Sequence, residues 1–217
     1  VFLGLLTAFG PFVTDMYLPA LPSMVDLFGT NTSMVQLSLT SCMIGLAAGQ
    51  LLFGPMSDRY GRKPVLLWTL LLFILSTLLC LFSADIYLFV IFRLFQGIAA
   101  AGSIVIARSI STDLFSGHEL ARILAIVGSI NGIAPVLAPV LGGAMAEAGG
   151  WESIFAVLLF IGMLLLFACL YYQESMPVER RVSSGLLRLP SYFIPLLGNR
   201  PYMGYMLQLG FEIGRAH

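Results

Sequence analysis

The stretch "GPMSDRYGRKP", residues 54–64, is a dense cluster of charge between two long apolar runs. Only 10% of the 217 residues are Asp, Glu, Lys or Arg, yet Asp58, Arg59, Arg62 and Lys63 fall within six positions. The chain is continuously hydrophobic on both sides of this cluster. The stretch is therefore expected to be a short polar connection between two apolar elements.

The overall composition indicates that these apolar elements lie in lipid. Hydrophobic residues make up 59% of the chain and the mean hydropathy is +0.94, whereas an ordinary soluble domain is about 45–50% apolar. Six runs approach or exceed the ~20 residues that a helix needs to cross hydrocarbon, and they lack the alternation of barrel strands. We expect membrane helices near 1–22, 34–55, 64–83, 86–111, 122–146 and 152–172.

The basic residues predict the orientation of these helices. The connections after the second, fourth and sixth runs are basic, whereas the alternate connections contain no Lys or Arg. By the positive-inside rule, the basic connections and the N-terminus are expected in the cytoplasm. The residues that carry this prediction are Arg59, Arg62, Lys63, Arg108, Arg122, Arg180, Arg181, Arg188 and Arg200.

Several function classes find no support in the sequence. The formal net charge is zero, with 11 basic and 11 acidic residues, so no nucleic acid partner is indicated. Cys42, Cys80 and Cys169 stand alone in apolar runs without metal-ligand spacing. No Walker loop or His-Glu-x-x-His motif is present. We therefore expect no enzymatic activity, no metal and no cofactor.

Two charged residues, Asp15 and Arg93, lie inside the predicted helices. A charge near the bilayer centre costs roughly 2.5–3.5 kcal/mol, so such a residue usually has a partner or a task. Both lie at similar depth, which predicts that they approach within salt-bridge or water-bridged distance across neighbouring helices, facing the bundle interior. The pair could simply fix helix register, or Asp15 could be a protonatable carboxylate whose pKa depends on burial and on the guanidinium. Arginine itself stays charged.

Glycine spacing predicts close contacts between helices. Gly45 and Gly49 in the second run, and Gly128 and Gly132 in the fifth, have the small-xxx-small spacing that lets membrane helices approach closely.

The chain divides into three predicted parts. Residues 1–172 are expected to form a six-helix bundle, 173–200 a cytoplasmic linker, and 201–217 a truncated start of a seventh helix. Residues 213–217, "IGRAH", read like the translation of a sequencing adapter and are interpreted as non-native. We therefore expect the natural protein to continue beyond this chain.

Three motifs resemble those of the major facilitator superfamily of transporters. Residues 54–64 resemble its loop 2–3 signature, G-x-x-x-D-R-x-G-R-K, at Gly54, Asp58, Arg59, Gly61, Arg62 and Lys63. "RLFQG" resembles the helix 4 motif R-x-x-Q-G at Arg93, Gln96 and Gly97. "TDMYLPALP" resembles the helix 1 signature of the bicyclomycin/chloramphenicol-resistance (Bcr/CflA) drug:proton antiporters, with Asp15 at its acidic position.

A fourth motif matches less well. "GSINGIAPVLAPVLGG" in the fifth run resembles the antiporter motif G-x-x-x-G-P-x-x-G-G only loosely, because Ala-Pro steps replace its Gly-Pro step. The residues that carry this partial match are Gly128, Gly132, Pro135, Pro139, Gly142 and Gly143.

The resemblance implies an all-α fold: the N-terminal six-helix bundle of a twelve-helix transporter, built from two inverted three-helix repeats. It implies that Asp15 and Arg93 couple proton to substrate and that Tyr17, Gln96 and Asn131 line the cavity. It also implies that the charged loop latches the two halves of the transporter together, with Arg62 reaching Asp113.

The expected function is proton-driven export of small drug-like or metabolite molecules across a bacterial inner membrane, with the proton gradient as the energy source. Its expected partners are substrate, protons, lipid and a C-terminal six-helix half, in a monomer when full length. Two alternatives remain open: a symporter or facilitator for a nutrient-like solute, and a non-transporting scaffold or receptor.

Overall fold

The computed structural model describes residues 2–177, 179, 181, 198–199, 201, 203–204 and 206–208. The chain forms two units, Val1–Arg181 and Val182–His217. Residues 213–217, interpreted above as non-native, lie outside the described residues. The elements of the first unit are all helical: α1 (Phe2–Asp15), a 3-10 turn (Leu18–Ala20), α2 (Leu21–Leu27), α3 (Thr32–Tyr60), α4 (Arg62–Leu81), α5 (Ile86–Leu114) and α6 (Gly117–Tyr171).

The predicted membrane helices correspond to these elements, with one correction. Among the described residues, α3, α4, α5 and α6 are long and apolar enough to cross a membrane. The first predicted run, 1–22, is not one helix, because α1 ends at Asp15 and a 3-10 turn follows. Pro19 explains the break, since proline lacks the amide hydrogen that would bond to the carbonyl of Asp15, four residues earlier, in a continuing helix.

Helix α6 contains two of the predicted membrane segments. Gly149 (φ −149°, ψ 21°) and Gly150 (φ 73°, ψ −176°) leave the helical conformation in its middle. The backbone angles of Gly150 are open essentially to glycine alone. We call residues 117–148 the first arm of α6 and residues 151–171 the second arm. They correspond to the predicted helices at 122–146 and 152–172.

The crossing of α3 and α5 confirms one of the two glycine predictions. A Cβ on Gly45 would collide with the carbonyl oxygen of Leu94, and a Cβ on Gly97 would collide with that of Cys42. A Cβ on Gly49 would likewise meet backbone atoms of α5. Glycine therefore lets these two backbones touch.

The second glycine prediction is wrong for the part of the chain that the structure describes. Gly128 and Gly132 lie on an exposed side of the first arm of α6, and a Cβ added to either would meet no atom within 4 Å. The spacing is the same as in α3, but this face has no described neighbour.

The first three long helices of the bundle, α1, α3 and α4, interleave with α5 and the two arms of α6. Besides the α3–α5 crossing, the first arm of α6 packs on the end of α1, where Gly142 lies against the carbonyl of Met16. The second arm packs on α4, where Gly162 lies beside Phe73. Each of α1, α3 and α4 thus packs on α5 or on one arm of α6. This arrangement is typical of inverted repeats related by a pseudo-two-fold axis.

Candidate functional site

The centre of the bundle contains a fully buried cation, Arg93, with 0% of its surface exposed. Both Nη1 and Nη2 donate to the carbonyl oxygen of Val13 at 3.2 Å, and Nη1 donates to Gln96 Oε1 at 2.6 Å. The guanidinium carbon lies 4.6 Å from the ring centroid of Tyr17 and 5.8 Å from that of Phe155. Carbonyl, amide and π-face contacts together stabilise a charge removed from water.

The carbonyl of Val13 is available because α1 ends two residues later, at Asp15. The last four carbonyls of a helix lack partners within it, and inside a membrane such groups must be satisfied by the protein itself. A cation at this end also complements the helix dipole. Arg93 therefore caps the C-terminus of α1. This role was not predicted from the sequence, because the first run was expected to be one unbroken helix; Pro19 was the available signal.

Asp15 and Arg93 were predicted to approach within salt-bridge or water-bridged distance, and the direct salt bridge is not formed. Asp15 Oδ1 instead accepts a hydrogen bond from Thr14 Oγ1 at 2.8 Å, and no salt bridge between Asp15 and Arg93 exists in the described bundle. The guanidinium donates instead to Val13 and Gln96, while the carboxylate lies in a groove of about 390 Å³. The groove is lined by Gly10, Pro11, Thr14, Asp15, Met43, Leu46, Ala47, Gln50 and Ile104.

The residues predicted to line a cavity have other positions. Tyr17 and Gln96 are both fully buried between helices and do not line this groove. The Tyr17 hydroxyl lies 2.9 Å from Ser38 Oγ, where either oxygen can donate. Asn131, on the first arm of α6, is partly exposed, and its Oδ1 has no hydrogen-bond partner among the described residues.

Gln96 joins the buried arginine to a third helix. Its Nε2 donates to Thr77 Oγ1 of α4 at 2.8 Å, and Thr77 Oγ1 donates to the carbonyl of Phe73 at 2.7 Å. Thr77 is fully buried. The sequence analysis did not single it out, because a threonine in an apolar run carries no motif.

The partial helix 5 motif lies on the first arm of α6. Gly142 is buried against the end of α1, and a Cβ added to Gly143 would lie 3.9 Å from Pro19. Pro135 is exposed and Pro139 partly exposed.

The charged loop forms a second cluster, at the end of the bundle where α3 meets α4. Arg62 is nearly buried, with 6% of its surface exposed. Its Nε donates to Asp113 Oδ2 at 2.8 Å, which confirms the predicted contact. Its Nη1 donates to Asp58 Oδ1 and to Ser57 Oγ, both at 2.6 Å. The Asp58 side chain remains 45% exposed, so one side of it is available for further contacts.

Two residues exchange contacts between α4 and the end of α6. The Glu174 carboxylate accepts the backbone N–H groups of Arg62 at 3.0 Å and Lys63 at 3.2 Å, while Lys63 Nζ donates to the carbonyl of Leu170 at 2.8 Å. An anion thus caps the start of one helix and a cation the end of the other. Gly61, with φ +99°, makes the turn that exposes these N–H groups. Lys63, predicted to belong to the latch between the two transporter halves, donates here within its own bundle, and its role in the latch stays a prediction.

Comparison with known proteins gives a consistent family. Residues 3–211 match the sequence model of the Major Facilitator Superfamily. The chain is 41% identical over 215 residues to the MFS-type transporter YdgK of Bacillus subtilis, covering 98% of this chain and 54% of the relative. It is 30% identical over 213 residues to a bicyclomycin resistance protein homolog of Haemophilus influenzae, with the same coverage of 98% and 54%. The chain therefore spans about half the length of these curated relatives.

A third relative and two solved structures extend the comparison. The chain is 36% identical over 155 residues to a chloramphenicol resistance protein of Pseudomonas aeruginosa, covering 71% of this chain and 36% of that protein. The human organic anion transporter MFSD10 superposes with a TM-score of 0.63 at 25% identity, over 87% of this chain and 50% of that one. The xylose transporter XylE from E. coli shares the fold, with a TM-score of 0.68 at 18% identity, over 100% of this chain and 58% of that one.

Proposed function

We propose that this chain, which belongs to the Major Facilitator Superfamily, is the N-terminal half of a proton-driven exporter of small, largely apolar molecules. The observation that carries this proposal is the position of Asp15. Its carboxylate lies in a groove that is otherwise apolar or uncharged, while the charge of Arg93 is fully buried and does not line this groove. Two relatives named for resistance to bicyclomycin and chloramphenicol support a drug-like substrate.

The proposed mechanism uses the cost of enclosing a charge. An ionised Asp15 favours an open, hydrated groove, because burying an unpaired carboxylate is expensive. Protonation removes this cost, so the groove can close against the second half of the transporter. Arg93, fixed on the end of α1, stays charged throughout and does not neutralise Asp15 directly. Proton occupancy of Asp15 then selects between the open and closed states.

The proposal also includes a location, a topology and an oligomeric state. The protein is a multi-pass membrane protein, and we place its N-terminus and basic loops in the cytoplasm of a bacterium, with the bundle in the inner membrane. Asp58, half exposed at the basic end, is placed against the second half as part of the latch. The full-length transporter is proposed to act as a monomer.

The test uses everted membrane vesicles containing the full-length transporter and a pH-sensitive dye. Chloramphenicol should evoke proton release from energised vesicles with the wild type and not with Asp15→Asn, at equal amounts of protein in the membrane. Asp26→Asn, which alters an exposed carboxylate outside the groove, is the matched control and should behave as the wild type. Wild-type proton release by Asp15→Asn would overturn the proposal, and proton movement in the opposite direction would indicate symport.

A further inference from the structure

A continuous chain of buried hydrogen bonds crosses three helices of the bundle. It runs from Thr77 on α4 to Gln96 and Arg93 on α5, and then to the carbonyl of Val13 on α1. Thr77, Gln96 and Arg93 each have 0% of their surface exposed. This series of hydrogen bonds ends at Val13, two residues before Asp15, whose carboxylate lies in the groove.

The guanidinium of Arg93 determines the orientation of Gln96. Arginine has donors and no acceptor, so the Gln96 oxygen must face Arg93, where it accepts at 2.6 Å, and the Gln96 NH₂ group must face Thr77. Thr77 Oγ1 accepts from this NH₂ group and donates its own hydrogen to the carbonyl of Phe73. The hydroxyl thus satisfies the Gln96 NH₂ group and holds the amide in the orientation that Arg93 requires.

We propose that Thr77 is a positioning residue for transport. Its hydroxyl orients Gln96, and Gln96 holds Arg93 on the C-terminal end of α1, the helix that ends at Asp15. This inference rests on the proposed function, in which the position of Asp15 controls proton binding. Thr77 does not touch the groove itself. Its loss should therefore slow the transport cycle without weakening substrate binding, since it acts through the placement of α1.

The experiment compares three threonine variants of the full-length transporter by uptake of labelled chloramphenicol into everted vesicles. Thr77→Val keeps the shape but leaves the Gln96 NH₂ group without its acceptor, and we expect about a tenfold lower maximal rate with unchanged KM. Thr77→Ser restores the hydroxyl and should stay within about twofold of the wild type. Thr69→Val is the matched control, because Thr69 is also buried on α4 and donates to a carbonyl of its own helix, at Leu66, but accepts no hydrogen bond from another helix among the described residues.

A double substitution tests whether Thr77 acts through Gln96. Gln96→Leu should lower the maximal rate at least as much as Thr77→Val, because it also removes the contact to Arg93. Combining the two should lower the rate no further than Gln96→Leu alone, because Thr77 acts only through Gln96. Additive losses, a wild-type rate for Thr77→Val, or failure of Thr77→Ser to restore the rate would each overturn the inference. Should Thr77→Val fail to reach the membrane, Thr77→Cys replaces it, and a wild-type rate would again contradict the proposal.

A measurement without transport separates this inference from the proposed function. The same single and double variants are unfolded thermally in detergent, where non-additive shifts in Tm are expected for Thr77 and Gln96. If the wild type exports no chloramphenicol yet the Tm shifts are non-additive, the export proposal for this substrate fails and the Thr77–Gln96 coupling stands. Additive Tm shifts would overturn the coupling whatever the transport result.

Discussion

Arg93 shows how a membrane protein can hold a full charge whose contacts in the described part of the chain include no carboxylate. Its guanidinium uses a helix end, an amide oxygen and an aromatic face. The sequence predicted that Arg93 is buried and has a task, since a charge in an apolar run is costly. It did not predict the partner, because the end of α1 depends on proline effects that an apolar run conceals. By contrast, the Arg62–Asp113 contact, expected from the family resemblance, is confirmed.

The geometry around Arg93 makes lysine a poor substitute. A single ammonium cannot hold the Val13 carbonyl with two nitrogens, bond Gln96 and stack on Tyr17 at once. We expect Arg93→Lys to lower the maximal rate of chloramphenicol uptake into everted vesicles by at least about tenfold, at equal membrane amounts. Arg108→Lys, an exposed site on the same helix, is the control and should be unaffected. A wild-type rate for Arg93→Lys would show that a point charge is sufficient.

Among the helices, the same glycine spacing has two different outcomes. Gly45, Gly49 and Gly97 bring α3 and α5 into backbone contact, whereas Gly128 and Gly132 face open space. Spacing alone could predict that a close contact is permitted on each helix. It could not predict which face meets a neighbour, because this depends on the rotation of each helix about its axis, which tertiary packing determines.

This difference predicts opposite effects of alanine at two glycines. Gly97→Ala adds a methyl group where the carbonyl of Cys42 lies, and overpacking of this kind typically costs about 1–3 kcal/mol. Gly128→Ala adds the same group where no described atom lies within 4 Å, and should be neutral or slightly stabilising through helix propensity. Thermal unfolding of the two variants in one detergent compares them directly. Equal Tm values would contradict the α3–α5 contact.

The exchange between α4 and the end of α6 gives a second prediction for the elements. Glu174→Ala removes the acceptor for two N–H groups at the start of α4, and loss of a helix cap costs about 0.5–2 kcal/mol. Glu179→Ala changes an exposed glutamate a few residues further along and should alter stability by less than about 0.5 kcal/mol. Chemical denaturation of both variants in mild detergent measures the difference. The sequence did not indicate Glu174, because an acidic residue after an apolar run is ordinary.

For the whole molecule, the long apolar runs correctly predicted an all-helical membrane fold, since few other structures satisfy the backbone in lipid. The motifs correctly predicted the Major Facilitator Superfamily, and the chain spans about half the length of the curated relatives that it matches. The interleaving of α1, α3 and α4 with α5 and α6 could not be read from the runs themselves, because it depends on contacts between residues far apart in the chain.

The half-exposed Asp58 leads to a prediction for the full-length transporter. Asp58→Asn should shift the protein away from the outward-facing state by about two- to fivefold, as expected for losing a carboxylate at a helix end worth about 0.3–1 kcal/mol. The shift is measured by the reactivity of one cysteine introduced on the side predicted to be non-cytoplasmic, in a background with Cys42, Cys80 and Cys169 replaced. Glu179→Asn is the control. Unchanged reactivity in Asp58→Asn would exclude Asp58 from the latch.

The contact between Glu174 and the start of α4 also affects the timing of biosynthesis. Glu174 follows Arg62 by 112 positions, so α4 leaves the ribosome long before its cap exists. At about 5–20 residues per second, the interval is roughly 6–22 s. Throughout that interval the first N–H groups of α4 depend on water or lipid headgroups. The basic end of the bundle is therefore completed only when the residues after α6 have been translated. Folding of this end is a late step in the maturation of the protein.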